Sequence, residues 1–232
     1  MAWGGLTDAY KNIVFLGESG CGKSELALNL ALELCGEGSQ VHLWDMDQTK
    51  PLFRARDMER QLADCGVTVH YDVQLADTPT VSGGIIPLLL DPESRVILDV
   101  GGGDAGARLI GGFSHLLRCE DVIVFYVINP YCAWSGNLAA IDETLSAILN
   151  SARIQQVHFL ANPNLGDATT AADFTEGLEK VMNMLPSYAL LDAAAISHWL
   201  AGLAVPLSTI PVRPQVRSPG QNDKFYNFAK ER

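Results

Sequence analysis

The stretch Ile13-Val14-Phe15-Leu16-Gly17-Glu18-Ser19-Gly20-Cys21-Gly22-Lys23-Ser24 decides the fold. Residues 17–24 fit GxxxxGK[ST] without a mismatch. An apolar strand-like run precedes them, and the Ala- and Leu-rich helical run Glu25 to Leu34 follows. Strand, glycine-rich loop and helix in that order make a phosphate-binding loop. The glycines at 17, 20 and 22 let the backbone wrap so that successive amide hydrogens point at one anion, and the positive end of the following helix adds to the attraction. The whole loop, Gly17, Glu18, Ser19, Gly20, Cys21, Gly22, Lys23 and Ser24, is the candidate nucleotide-binding element. Within it Lys23 is expected to reach the outer phosphates and the Ser24 hydroxyl to ligate Mg²⁺.

Outward from this loop, apolar strands alternate with helical segments. Strands are predicted at Asn12 to Leu16, Val41 to Asp45, Val67 to Val73, Val96 to Val100, Val122 to Ile128 and Val157 to Ala161, with a weaker one at Tyr188 to Leu191. The clearest helices are Ser24 to Leu34, Asn137 to Asn150 and Phe174 to Met184. This rhythm gives an α/β fold with a doubly wound, mainly parallel sheet and helices on both faces. The expected organisation is one nucleotide-binding domain over residues 1–206 and a C-terminal extension over 207–232 packed on or beside it. Prolines at 206, 211, 214 and 219 predict an extended segment on the surface, with a last helix from Asn222.

Two further strand ends carry acids. Asp45-Met46-Asp47-Gln48 closes the second strand, and acids at strand C-terminal ends face the crevice in which α/β sheets bind ligands. Asp47 is the candidate to position water or to bind Mg²⁺ through water; the alternative is a pair of solvated turn aspartates. The run Val96-Ile97-Leu98-Asp99-Val100-Gly101-Gly102-Gly103 is an apolar strand ending in Asp, the form of an acid that holds Mg²⁺ directly or through water. The glycines behind it can approach a γ-phosphate and swing away when it leaves. Lys23, Asp47 and Asp99 are thus the candidate catalytic residues, and Ser24, Asp47 and Asp99 the candidate metal ligands.

Composition narrows the partners. The 232 residues, 48% of them hydrophobic, suffice for a full core. No apolar run reaches the roughly 20 residues of a membrane helix, and Met1 to Lys11 lack the basic flank and apolar core of a secretory signal, which points to the cytoplasm. The 5 cysteines form no CxxC pair, so a disulfide scaffold or a paired-cysteine metal site is not expected. A net charge of −11 disfavours nonspecific nucleic-acid binding. Basic residues cluster at Lys50, Arg54, Arg56 and Arg60, close to where outer phosphates would lie, and again in the tail.

From about Asn12 to Pro206 the chain resembles the MinD, ParA and nitrogenase-iron-protein branch of the P-loop NTPases, the SIMIBI class. The resemblance rests on the phosphate loop, on Asp45 and Asp47 as DxD, on Asp99 to Gly102 as DxxG, and on the turns Asn129-Pro130 and Asn162-Pro163. It implies that Asp47 is the switch I acid, that Asp99 to Gly102 form switch II, and that Asn162 and Pro163 lie beside the nucleotide base. It also implies a closing segment in which Leu190-Leu191-Asp192 is followed by a helix and by Gly202 to Pro206. One position departs from the pattern. Where the family usually has a phosphate-contacting lysine after the first loop glycine, this chain has Glu18, which would repel phosphate. Slow hydrolysis without a partner follows, with cationic help expected from Lys50, Arg54, a protein client or a second subunit, a homodimer being one form of the last.

Base preference is also legible. Guanine recognition usually uses [NT]KxD, and Asn162-Pro163-Asn164-Leu165 lacks both the Lys and the Asp, which favours ATP. The expected function is a Mg²⁺-dependent ATPase that acts as a nucleotide-controlled switch on a client. Two alternatives stay open: a small-molecule or protein kinase of P-loop fold, with an acceptor pocket at Ser82 to Pro87 or Trp134-Ser135-Gly136, and a nucleotide-binding regulatory module that does not hydrolyse.

Overall fold

The computed structural model describes residues 3–35, 40–47, 59–71, 84–185, 191–197, 200, 202–204 and 206–213. Strands β1 (Asn12–Leu16), β2 (Gln40–Asp45), β3 (Val67–Tyr71), β4 (Ser94–Asp99), β5 (Val122–Ile128), β6 (His158–Ala161), β7 (Leu191–Ser197) and β8 (Ser208–Val212) form one eight-stranded sheet in the order β3-β2-β4-β1-β5-β6-β7-β8. Every pairing is parallel. Helices α1 (Gly4–Ala9), α2 (Lys23–Cys35), α3 (Glu59–Asp64), α4 (Ile85–Leu90), α5 (Gly103–Ile110), α6 (Leu138–Ala152) and α7 (Ala171–Met184) cover it.

Both faces of the sheet are buried, which is why its strands read as continuous apolar runs. In β1 the side chains alternate between two cores. Ile13 and Phe15 pack with Trp3, Leu26, Leu30 and Leu34, while Val14 and Leu16 pack with Ile110, Ile141, Phe174 and Val181. Phe15 stacks on Phe125 at 5.9 Å and meets Trp3 edge-on at 6.2 Å, fixing β1 between β5 and α1.

The order of strands locates the crevice. From β1 the chain crosses to β2 and later fills the gap with β4, whereas β5 to β8 extend the sheet on the other side. Ligands bind outside the strand C-termini at such a reversal. The register aligns the relevant ends: Phe15 lies beside Asp99, and Asp99 beside Asp45. No strand separates β4 from β1, so Asp99 is one strand spacing, about 4.8 Å, from the strand that leads into the phosphate loop.

One sequence expectation needs correction. Within the segment after Pro206, residues 208–212 are extended, but they do not lie wholly on the surface. They form edge strand β8, whose Ile210 and Val212 enter the core. Asn29 of α2 clamps its end, donating to Arg213 O and accepting from Arg213 N, each at 2.9 Å. Pro211 is tolerated because an edge strand needs hydrogen bonds on one side only. Residues 191–197 are strand, so the helix expected to follow Asp192 does not begin before residue 198. The Ala193-Ala194-Ala195 run favours helix by propensity, but pairing with β6 on one side and β8 on the other overrides it. Lys50, Arg54, Arg56, residues 72–73, the 82–83 part of the suggested acceptor loop, residues 188–190 and the tail helix from Asn222 lie outside the described residues.

Candidate nucleotide site

The phosphate loop leaves β1 at Gly17 and enters α2 at Lys23. Gly17, Gly20 and Gly22 all take positive φ, at 140°, 83° and 99°. At Gly22 the requirement is double. Its φ disfavours any side chain, and a Cβ there would stand 2.2 Å from Asn162 Nδ2.

Lys23 is a buried residue, 3% exposed, and its Nζ donates to Gly17 O at 3.0 Å and Glu18 O at 2.9 Å. It also stands 3.8 Å from Cys21 Sγ. The ammonium therefore belongs to the loop it follows, held by two charge-assisted bonds. Cys21 is core, with its sulfur packed under Gly17, in accord with a small residue tolerated in the loop.

The two acidic strand ends meet this loop. Asp45, Asp47 and Asp99 are all buried, which sets aside the reading of solvated turn aspartates. The Asp47 amide donates to Asp45 Oδ1 at 3.1 Å, a local turn at the end of β2. Met46 N donates to Asp99 O at 2.9 Å, joining the end of β2 to the end of β4. Burial raises the Asp99 carboxyl from 3.8 to about 7; Lys23 and a hydrogen bond with Ser24 oppose the shift, and Asp45 and Asp47 reinforce it. Its Oδ1 is buried without a hydrogen-bond partner among the described residues. A buried orphan carboxylate oxygen beside a hydroxyl fits a hard, oxygen-seeking cation such as Mg²⁺. No group of three or more His, Cys, Asp or Glu that could hold a metal by itself occurs among the described residues. A cation here would therefore draw on Asp99, Ser24 and ligand oxygens together.

The glycines after Asp99 pack directly on the phosphate loop. Gly103 N donates to Gly17 O at 3.4 Å, and a Cβ on Gly102 would be 2.8 Å from Ser19 N. Glu18 has a place the sequence did not reveal. Its carboxylate lies against Gly103, the first residue of α5, with oxygens 3.5 and 3.6 Å from where a Cβ would be. A negative charge at a helix N-terminus is favourable, so Glu18 faces α5 and not the middle of the loop.

The loops after β5 and β6 form the other wall. Asn162, expected beside the base, donates from Nδ2 to Cys21 O at 2.7 Å, so its amide is committed to the phosphate loop. Asn164 Oδ1 accepts from Gly166 N at 2.6 Å and from Thr169 Oγ1 at 3.3 Å, folding its own loop. Asn129 Nδ2 donates to Asn164 O at 2.8 Å and ties the two walls together. Pro163 and Tyr131 both press on Gly177 of α7, where a Cβ would come within 2.7 and 3.0 Å of them. Leu165, in the place of the acid of [NT]KxD, is half exposed. Sequence reasoning missed Cys132, whose Sγ donates to Gly20 O at 3.5 Å. The signal available was its place just beyond the end of β5, the neighbour of β1.

Comparison with known proteins is informative through structure alone. No protein-family model matches the chain, and no curated protein does. Among solved structures, the cell division protein FtsY of Thermotoga maritima is similar with a TM-score of 0.52 and 15% identity, over 81% of this chain and 62% of that one. FlhF complexed with GTP/Mg(2+) follows at a TM-score of 0.48 and 15% identity, over 78% of this chain and 63% of that one. The Signal Recognition Particle 54 kDa protein of Aeropyrum pernix K1 gives 0.36 and 18%, over 82% and 35%.

The chain has the P-loop NTPase fold. It spans less than two thirds of the length of each of these structures. Among the described residues no helix is long and apolar enough to cross a membrane.

Proposed function

We propose that this P-loop protein is an ATPase of the SIMIBI class that works as a nucleotide-dependent switch on a protein client. The reading is carried by Asp99, a buried carboxyl with an orphan oxygen and a raised pKa, set between Ser24 and Lys23 of the phosphate loop on one side and Asp45 and Asp47 on the other. Such an arrangement costs stability by itself, and a cation and phosphate oxygens would repay it.

In this reading the loop amides from Glu18 to Ser24 cradle the phosphates, and Lys23 exchanges its bonds to Gly17 O and Glu18 O for phosphate oxygens. Ser24 and Asp99 would hold Mg²⁺, which when bound neutralises charge on the phosphates. Asp47 orients the attacking water, and the developing charge is met by Lys23 and the loop amides. Because Gly102 and Gly103 rest on Ser19 and Gly17, a loop that moves with the γ-phosphate carries the start of α5 with it, which offers a different surface to the client. ATP is favoured over GTP because Asn162 and Asn164 are engaged elsewhere and an apolar Leu165 stands where a guanine-reading acid would be.

Calorimetry tests the reading. Mg²⁺-ATP should bind at least about tenfold tighter than Mg²⁺-GTP, a difference of about 1.4 kcal/mol. Lys23→Ala should weaken ATP binding by about 100-fold, as expected for loss of charge-assisted bonds of about 1.5–3 kcal/mol each. Equal affinity of wild type and Lys23→Ala for ATP refutes the site, and a preference for GTP refutes the base assignment.

A further inference from the structure

The surface beside the nucleotide walls carries an apolar and acidic groove that the proposed reaction does not use. It is a cavity of about 480 Å³ between the start of α6 and the outer face of α7, lined on one side by Gly136, Asn137 and Leu138 and on the other by Glu176, Glu179 and Met184. Leu138 is 48% exposed, and Trp134, four residues earlier in the chain, is 51% exposed. An exposed leucine at the mouth of a concave surface is the kind of side chain on which a protein interface anchors.

Charge narrows the occupant. Glu176 and Glu179 line the groove, and Asp142 follows Leu138 by one helical turn on the same face of α6. Lys180 is the cation in the lining, and its Nζ is drawn to Pro130 O at 3.1 Å. The lining therefore carries two carboxylates to one ammonium beside Leu138 and Met184, on a chain of net charge −11. Acceptance of a transferred phosphoryl group is not what this groove is placed for. It opens on the β5 and β6 side of the phosphate loop, whereas Asp47 and Asp99 lie on the β2 and β4 side.

We propose that this groove docks a basic, amphipathic segment of a partner protein, whose apolar residues meet Leu138 and Met184 and whose Lys or Arg side chains meet Glu176 and Glu179. The proposal gives the client of the switch a chemistry, and only its coupling to nucleotide rests on the ATPase reading. A path for that coupling exists. Between Trp134 and the phosphate loop stands Cys132, bonded to Gly20 O, and the Asn129 to Asn164 bond joins the same wall to the loop after β6. Docking that shifts this wall must change phosphate-loop geometry, and nucleotide must then change docking by the same factor.

The test uses the full chain and two fluorescein-labelled synthetic peptides of 18 residues, an amphipathic Leu/Lys helix and its Leu/Glu counterpart, followed by anisotropy at about 0.15 M salt, where long-range attraction is screened. The Leu/Lys peptide should bind and the Leu/Glu peptide should not. The double reversal Glu176→Lys with Glu179→Lys should weaken binding at least tenfold, and Leu138→Ala about threefold to tenfold. Glu93→Lys with Glu120→Lys makes the same change in net charge at the opposite end of the sheet, and should change binding less than twofold. All these positions are exposed, and unchanged thermal melts verify that the variants fold. Equal losses in the two double variants would reduce the binding to general charge attraction and overturn the proposal, as would absence of Leu/Lys binding or preference for Leu/Glu. Self-association of the chain that the groove variants abolish, without peptide binding, would assign the groove to a second copy and overturn it too. Peptide affinity should change at least threefold on adding Mg²⁺-ATP; identical affinity while ATP binds normally overturns the coupling. If ATP does not bind at all, the ATPase reading fails while the peptide result on the nucleotide-free chain still decides the groove.

Discussion

Replacing Asp99 by Asn should make the metal-free protein more stable at pH 8 while removing its response to Mg²⁺. The carboxyl has an ordinary value of 3.8 and is raised by burial to about 7 in the fold. Between those values the native chain holds a proton that the unfolded chain has released, so stability falls as pH rises through that window and is lowest above pH 7. At about 1.4 kcal/mol for each tenfold change in proton affinity, the whole window corresponds to roughly 4 kcal/mol. Asparagine keeps the shape without the charge, but its amide also needs partners in a site built around an ammonium, a cost of about 1–3 kcal/mol. The net expected gain at pH 8 is about 1–3 kcal/mol, or roughly 2–12 °C in Tm for a chain of this size. At pH 5, where the native carboxyl is already protonated, the gain should vanish or reverse. Thermal or urea unfolding of both proteins in EDTA at pH 5 and 8 measures this. The same melts with Mg²⁺-ATP should stabilise only the wild type. A variant no more stable than wild type at pH 8, with a difference that does not change with pH, would show that Asp99 is not an electrostatic burden relieved by a cation.

Other substitutions probe the surrounding walls. Gly22→Ala should abolish nucleotide binding and cost at least about 1–2 kcal/mol through its positive φ alone, and Asn162→Ala in the same chain should recover part of the loss, because it removes the atom 2.2 Å from the new Cβ; fully additive losses in a double-mutant cycle would refute that contact. Glu18→Lys introduces the lysine common in the family the sequence resembles, yet it should lower stability by about 0.5–1 kcal/mol by placing a cation at the start of α5, so a rise in Tm would show that Glu18 does not serve that helix. His42 Nδ1 and His70 Nε2 lie 3.0 Å apart in β2 and β3, and burial lowers both pKa values, with His42 lowering His70 further. Stability contributed by this pair is present above pH 6.5 and lost as pH falls below it. His70→Gln should therefore flatten the acid side of the stability profile, and an unchanged profile would refute the assignment.

The fold was legible because its signals are local. A glycine-rich loop between an apolar run and a helix, and apolar runs ending in Asp45 and Asp99, are patterns that neighbouring residues carry by themselves. What escaped depends on distance. Strand β8 is short and contains Pro211, and it becomes a strand only because β7 lies beside it and Asn29 of α2, far away in sequence, closes its end. The Ala-rich start of β7 favours helix alone and strand between two partners. The acids at 45, 47 and 99 were found as a set, but that all three are buried, and that Asp99 keeps an unsatisfied oxygen, follows from the side-by-side pairing of β2 and β4, which brings their C-terminal ends together.

Glu18 and Asn162 show the same limit at the level of single side chains. In the sequence Glu18 is a deviation whose only visible consequence is repulsion of phosphate. In the fold its carboxylate faces the first turn of α5, so the position that holds a phosphate-contacting lysine in the family the sequence resembles serves here the segment that follows Asp99. Asn162, in turn, holds the Cys21 carbonyl and fills the space that makes Gly22 obligatory. Each of these residues connects the phosphate loop to a different wall, Glu18 to the Asp99–Gly103 side and Asn162 to the β6 side, where Asn129 and Cys132 continue the connection toward the groove at α6 and α7. A loop fastened to both walls transmits a change in its own geometry in two directions. That gives a physical reason to expect the nucleotide to be sensed at the start of α5 and at the groove together, although the two lie on opposite sides of Lys23.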